Sequence, residues 1–229
     1  MILSQAKVSL SVLLTVLLAF PPSAMSASSA ASVQKVFAKP KLELLDAAIE
    51  QAIGESKMPG GVLWLERNGV SYHKAFGSRS LVPEKTRMSE DTIFDAASLT
   101  KVIATTPAVL LLIERGRVRL DAAVATYIPE FKGHGKESIT VRQLLTHTSG
   151  LRPGISATPA WSGYEKAIQL ACAEKPLNAP DTVFRYSDIN FILLGEVVRR
   201  ASGQPLHVFV EREIFKPLKM SDTGFLPPE

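Results

Sequence analysis

Ser98-Leu99-Thr100-Lys101 places a hydroxyl and an amine three residues apart at the head of the apolar run Val102 to Ile113. Residues three apart on a helix share a face, so Lys101 can reach the Ser98 oxygen. An ammonium held against apolar neighbours is pushed toward its neutral form. Lys101 is therefore expected to accept a proton and Ser98 to act as a nucleophile, with no histidine required. In the first turn of a helix the Ser98 N–H has no intrahelical acceptor, and the dipole there favours developing negative charge. The same residue can thus supply half of an oxyanion hole.

Three further Ser-x-x-Lys tetrapeptides begin at Ser4, Ser32 and Ser71. The first falls in an export-like leader and the second in a small-residue tether. The third falls in a strand-like stretch, where positions three apart point to opposite faces. Only Ser98 opens an apolar helix. A second constellation, Tyr186-Ser187-Asp188, follows the turn-prone Asn178-Ala179-Pro180-Asp181 and precedes the apolar run Ile189 to Leu194. A phenol there can relay a proton to a leaving group, while Asp188 or Ser187 can hold substrate or orient Lys101.

Several segments occur in a set order: Phe94-Asp95-Ala96-Ala97-Ser98-Leu99-Thr100-Lys101, Leu144-Leu145-Thr146-His147-Thr148-Ser149-Gly150-Leu151, Tyr186-Ser187-Asp188-Ile189-Asn190-Phe191, and Phe215-Lys216-Pro217-Leu218-Lys219-Met220. In that order and spacing the chain resembles the serine beta-lactamase and penicillin-binding-protein superfamily, in its class C-like branch of esterases and D-amino-acid peptidases. The resemblance runs from about Leu42 to the C-terminus. It implies an α+β fold of the beta-lactamase/transpeptidase type, an antiparallel sheet flanked by helices. It also implies a Ser98 nucleophile, with Lys101 and Tyr186 sharing proton transfers through an acyl-enzyme, and substrate contacts from Asp188 and Ser187. Class C beta-lactamases proper carry Asn as the third residue of the tyrosine motif, where this chain has Asp188. The family's third motif, Lys-Thr-Gly or His-x-Gly, has no match after Asp188. The expectation is an N-terminal part of the fold, with the C-terminal strands missing from this chain. The implied activity is that of an exported serine hydrolase acting on ester, D-Ala-type amide or beta-lactam substrates. The alternative is a catalytically incomplete fragment, an acyl-binding or structural relic.

Composition fits a globular hydrolase, with 46% hydrophobic and 21% charged residues. The formal charge is +4 and the basic residues are scattered, which disfavours nucleic acid as a partner. The partner expected instead is a small-molecule or peptide acyl substrate, and nothing in the sequence fixes an oligomeric state. Residues 1–27 read as a signal peptide, with Lys7, the apolar stretch Val8 to Phe20 and then Pro21-Pro22. That stretch is shorter than the roughly 20 residues of a bilayer span, so a secreted or periplasmic chain without a stable membrane anchor is expected. The single cysteine, Cys172, forms no internal disulfide and reads as a buried small residue. The four histidines show no metal-site spacing, and no cofactor is expected. His147 reads as a turn residue satisfying backbone groups. A Ser-His-Asp hydrolase lacks its G-x-S-x-G elbow here.

The elements that must position these groups follow from periodicity. Residues 28–41 read as an Ala- and Ser-rich tether, and 42–229 as one domain. Helical spacing begins at Leu42 to Ile53, and strands Gly61 to Leu65 and Val70 to Phe76 are joined at Arg67-Asn68-Gly69, a hairpin signal. Helices are predicted over Ser98 to Arg115, bent at Pro107, and over Val141 to His147, Tyr164 to Ala173, Asp188 to Ala201 and Leu206 to Phe215. Trp161 and Tyr164, at the end of the loop Arg152 to Gly163, either line the site or cover core.

Overall fold

The computed structural model describes residues 28–226, so the leader expected over 1–27 lies outside the described residues. The chain divides into two compact units, Met1–Thr92 and Ile93–Glu229.

In the first unit the stretch read as a tether is largely helical. Helix α1 spans Ala30–Val36, and the Ser29 hydroxyl caps it by accepting from the Ser32 N–H at 3.2 Å. Ala and Ser there supply helix propensity and a cap, not slack. Helix α2 spans Lys39–Gly54, with Pro40 in its first turn, where a missing N–H costs nothing. Both helices pack on the sheet at β2. Strands β1 (Gly60–Arg67) and β2 (Val70–Ser80) form the expected antiparallel hairpin, in register from Arg67↔Val70 to Gly60↔Gly77. Asn68 and Gly69 both have positive φ, 53° and 71°, the primed turn whose twist matches the strands. A short third strand, β3 (Thr86–Arg87), pairs with β2 and gives the order β1-β2-β3. It is too short to leave a periodic signature.

At the open end of the hairpin two glycines face each other because no side chain fits. A Cβ on Gly77, which sits at φ 64°, would lie 2.4 Å from the Pro59 carbonyl oxygen. Gly77→Ala is therefore expected to destabilise this unit by about 2 kcal/mol or more. Gly69→Asn, at an open turn position with nothing within 4 Å, should shift stability by less than about 0.5 kcal/mol. Denaturant midpoints of the two variants check this directly.

The second unit opens with Ala97–Leu99, a tight turn, followed by a wide turn over Lys101–Thr105 and then helix α3 (Thr106–Glu114). The sequence predicted one bent helix, whereas three geometries share the span. Pro107 has no N–H to offer the preceding turn, and the chain relaxes into an i→i+5 bond from Thr106 N–H to the Lys101 carbonyl. Beyond a loop lie α4 (Val141–Leu145), α5 (Tyr164–Ala173), α6 (Asp188–Ser202) and α7 (Leu206–Val210), the last continuing as a second wide turn to Phe215. Helix α4 is fastened by a capping box between Thr140 and Gln143. Helix α6 is the centre of this unit and packs against α3, α4, α5 and α7. Its Leu193, Leu194, Val197 and Val198 are fully enclosed with Ala108 and Val109 of α3. Cys172 is a free, buried thiol in the same core.

One carboxylate lies inside this core. Glu196 is completely buried yet accepts from Arg199 and Arg200 at 2.6 Å each and from the Tyr164 hydroxyl at 2.6 Å. Burial raises its pKa, but the three donors outweigh that effect and hold it at about 2 against an ordinary 4.5. A carboxyl depressed on folding contributes stability above its unfolded pKa and loses it as pH falls toward the folded value. Glu196→Gln should therefore cost about 2 kcal/mol at pH 7, because both arginines can turn to solvent, and much less at pH 2.5. Denaturant unfolding of both proteins at the two pH values checks it.

Candidate active site

The nucleophile turn is bent by a local side-chain bond. Asp95 Oδ1 accepts the Ala97 N–H at 2.8 Å and Leu99 N–H bonds the Ala96 carbonyl at 2.8 Å, which closes the chain tightly before Ser98. Ala97 sits at φ 41°, a left-handed conformation unusual for a residue with a Cβ, and Ser98 is exposed beside it. Strain of this kind collects where a side chain must be aimed.

Lys101 Nζ donates to Ser98 Oγ at 3.1 Å and meets Asp188 Oδ1 at 2.7 Å. It also lies over the Tyr186 ring at 4.9 Å and the Phe191 ring at 5.7 Å from the centroids. The structure thus brings together Ser98, Lys101, Tyr186 and Asp188. The surroundings of the amine run against the neutral form expected from burial alone. Burial pushes Lys101 toward neutrality, but Asp188, and then Tyr186, overcome this and raise its pKa above 10.5. The surroundings of Lys101 thus favour its ammonium form, which donates to Ser98 Oγ. The group drawn toward its ionised form is Tyr186, held below the ordinary phenol value first by Lys101 and then by Ser98.

Ser187, expected to contact substrate, points inward. Its side chain is fully buried, with Oγ donating to the Arg152 carbonyl at 2.7 Å. Arg152 and Ser187 thereby join the two loops around the site. Those loops are fastened further by the His147–Leu151 turn. Asp181 N–H bonds the Thr148 carbonyl, Leu177 N–H bonds the Gly150 carbonyl, and Arg185 N–H bonds the His147 carbonyl, at 2.8–2.9 Å. Gly150 permits this approach, since a Cβ there would sit 2.0 Å from the Asn178 oxygen. His147 satisfies backbone groups, as its position in a turn predicted, because its Nδ1 accepts the Ser187 N–H at 3.1 Å. Ser149 and Asn190, joined at 2.7 Å, complete a buried polar cluster that the sequence analysis missed. The signal was present: Asn190 interrupts an otherwise apolar stretch between Ile189 and Phe191.

The remaining candidates separate. Tyr164 commits its hydroxyl to Glu196, and Trp161 commits its N–H to the carbonyl of Ser156 in its own loop at 2.7 Å. Ser32 lies on α1, not in a tether, and spends its hydroxyl on the Ser29 carbonyl. Lys74 pairs with Asp46 at 2.7 Å and Ser71 is buried. Among the described residues no cluster of His, Cys, Asp or Glu has metal-binding geometry.

Residues 45–229 match the family described as Beta-lactamase. The chain belongs to that family. It is 38% identical over 205 residues to esterase EstB of Burkholderia gladioli, covering 81% of this chain and 52% of the esterase. It is 32% identical over 212 residues to an N-acetylmuramyl-L-alanine amidase of Bacillus subtilis strain 168, covering 83% of this chain and 48% of the amidase. Its structure superposes on that of a class C beta-lactamase with a TM-score of 0.71 at 26% identity, over 81% of this chain and 51% of that one. The chain spans about half the length of the curated relatives it matches.

The Lys101–Asp188 pair carries a direct consequence. In Asp188→Asn the opposing charge is gone and burial acts on Lys101 with less opposition, so the Lys101 pKa should fall. Competitive acylation of Lys101 across pH 7–12, read by mass spectrometry, measures that shift without any substrate.

Proposed function

We propose that this chain carries the nucleophilic half of a serine hydrolase that forms an acyl-enzyme on Ser98 from carboxylic ester or related amide substrates. The observation that carries this reading is the ammonium of Lys101 held between Ser98 Oγ and Asp188 beside the Tyr186 phenol. An ammonium already donating to Ser98 Oγ cannot take the serine's proton, so the proton must go to Tyr186 in its phenolate form. Ser98 Oγ then bonds to the substrate carbonyl carbon, and the oxygen gains negative charge. The Ser98 N–H, in the turn Ala97–Leu99, is the donor this reading assigns to that oxygen. When the tetrahedral intermediate collapses, Tyr186 returns its proton to the departing alkoxide or amine. A water molecule then attacks the acyl-enzyme carbonyl, giving its proton to Tyr186; as the acyl–Oγ bond breaks, Tyr186 returns that proton to Ser98 Oγ and the carboxylic acid product leaves. Lys101 stabilises the phenolate throughout, and Asp188 keeps Lys101 charged. An esterase among the relatives, and an acidic residue at the third position of the tyrosine motif, favour esters over beta-lactams as substrates.

Fluorophosphonate labelling of the protein in extracts of its own source, mapped to the modified serine, tests this reading. Label on Ser98, lost in Ser98→Ala, is the expected result, whereas a folded protein that stays unlabelled would refute it. The labelling rate should climb with pH toward the Tyr186 pKa, below 10, and fall again only as Lys101 loses its proton above 10.5. Tyr186→Phe should remove the rising limb and slow labelling by about 100-fold or more.

A further inference from the structure

We infer that His147 is a positioning residue for this reaction, whose unprotonated Nδ1 locks the Tyr186-Ser187-Asp188 segment in its working geometry. The inference rests on the hydrolase reading above and goes beyond it, because His147 touches neither Ser98 nor Lys101 through a hydrogen bond.

Three observations carry it. First, Nδ1 receives two donors, the Ser187 N–H at 3.1 Å and the Asn190 side-chain amide at 3.4 Å. Asn190 is oriented for this role because its Oδ1 is occupied by the Ser149 hydroxyl at 2.7 Å. A nitrogen facing two donors carries no proton, which assigns the neutral Nε2–H tautomer. Second, the imidazole is stacked against the phenol: the His147 and Tyr186 ring centroids lie 4.5 Å apart at 34°, and Phe191 closes another side at 5.2 Å. One ring therefore fixes the backbone at Ser187 and the aromatic plane at Tyr186 together, with Asp188 next in the chain. Third, His147 is nine-tenths enclosed and sits at φ 58°, so its ring direction is set by the turn itself.

The charged and titratable groups around it are Lys101 from the wide turn, and Tyr186 and Asp188 from the segment it holds. Burial first, and then Lys101, keep His147 below its ordinary 6.5, while Asp188 acts in the opposite direction. Protonation would place an N–H against the Ser187 N–H and release the segment, so the lock holds above the His147 pKa and opens as pH falls through it.

The test compares two variants in the full-length chain. His147→Asn keeps an acceptor near the Nδ1 position and suits the left-handed backbone, whereas His147→Phe keeps a ring and removes the acceptor. Burst and steady-state kinetics on a p-nitrophenyl ester, with Ser98→Ala as control, are read alongside thermal unfolding. The expected result is a 30- to 100-fold fall in the acylation rate of His147→Phe with KM little changed, in molecules that remain folded. His147→Asn should recover at least a tenth of the wild-type rate and lose the extra fall, beyond the Tyr186 limb, that is expected of wild type below pH 6.5. Folded His147→Phe acylating at the wild-type rate would overturn the inference while leaving the hydrolase reading intact. So would His147→Asn failing as completely as His147→Phe, or retaining the extra fall below pH 6.5. Should His147→Phe not fold, His147→Asn with its pH profile decides alone. Wild type that neither turns over nor acylates at Ser98 would instead remove the hydrolase reading, and this inference with it.

Discussion

The ion pair between Lys101 and Asp188 is the constraint on which the site depends. Lys101 lies in the wide turn before α3 and Asp188 in the first turn of α6, so the pair ties two separate segments at the point where Ser98 is presented. Burial and pairing compete over one proton, and pairing prevails. The paired ammonium favours ionisation of the neighbouring phenol and sits against the Tyr186 and Phe191 rings as a cation.

Helix α6 carries this arrangement because it is held at both ends by polar groups and along its length by apolar ones. At its start, Ser187 and Asn190 are bonded into the His147–Leu151 turn. At its end, Glu196 gathers Arg199 and Arg200 and reaches α5 through Tyr164, and Arg200 continues to Glu130 at 2.9 Å. Both clusters are buried and well satisfied, which makes them specific as well as stabilising. Between them the leucine and valine face anchors the helix in the core. The exposed reactive groups thus stand on a rigid base.

Much of this was legible before the structure. Asn68-Gly69 fixed the hairpin because few residue pairs tolerate two positive φ angles, and α5 was found at Tyr164–Ala173 because its apolar spacing has one period. Ser98, Lys101, Tyr186 and Asp188, which the structure brings together, stood out in the sequence because few residue types can do such chemistry. What escaped was relational. Residues 30–36 looked like a tether because Ala and Ser suit both a linker and a capped helix, and their packing on β2 decides between them. The charge on Lys101 depends on the direction of a carboxylate far away in sequence. Ser187 looked available to substrate because its burial is set by the Arg152 carbonyl, which no local pattern encodes.

The wide turn over Lys101–Thr105 has a consequence of its own. A helix advances about 100° per residue, so a turn closed by an i→i+5 bond carries one extra residue and shifts the angular phase of all that precedes it relative to α3. The face that α3 presents to the core, with Ala108, Val109 and Leu112, and the face that aims Lys101 are therefore set in separate registers. Each can drift in sequence without disturbing the other. Their alignment instead depends on chain length: removing one residue between Lys101 and Pro107 would regularise the helix and swing the amine more than a quarter turn from the serine it serves.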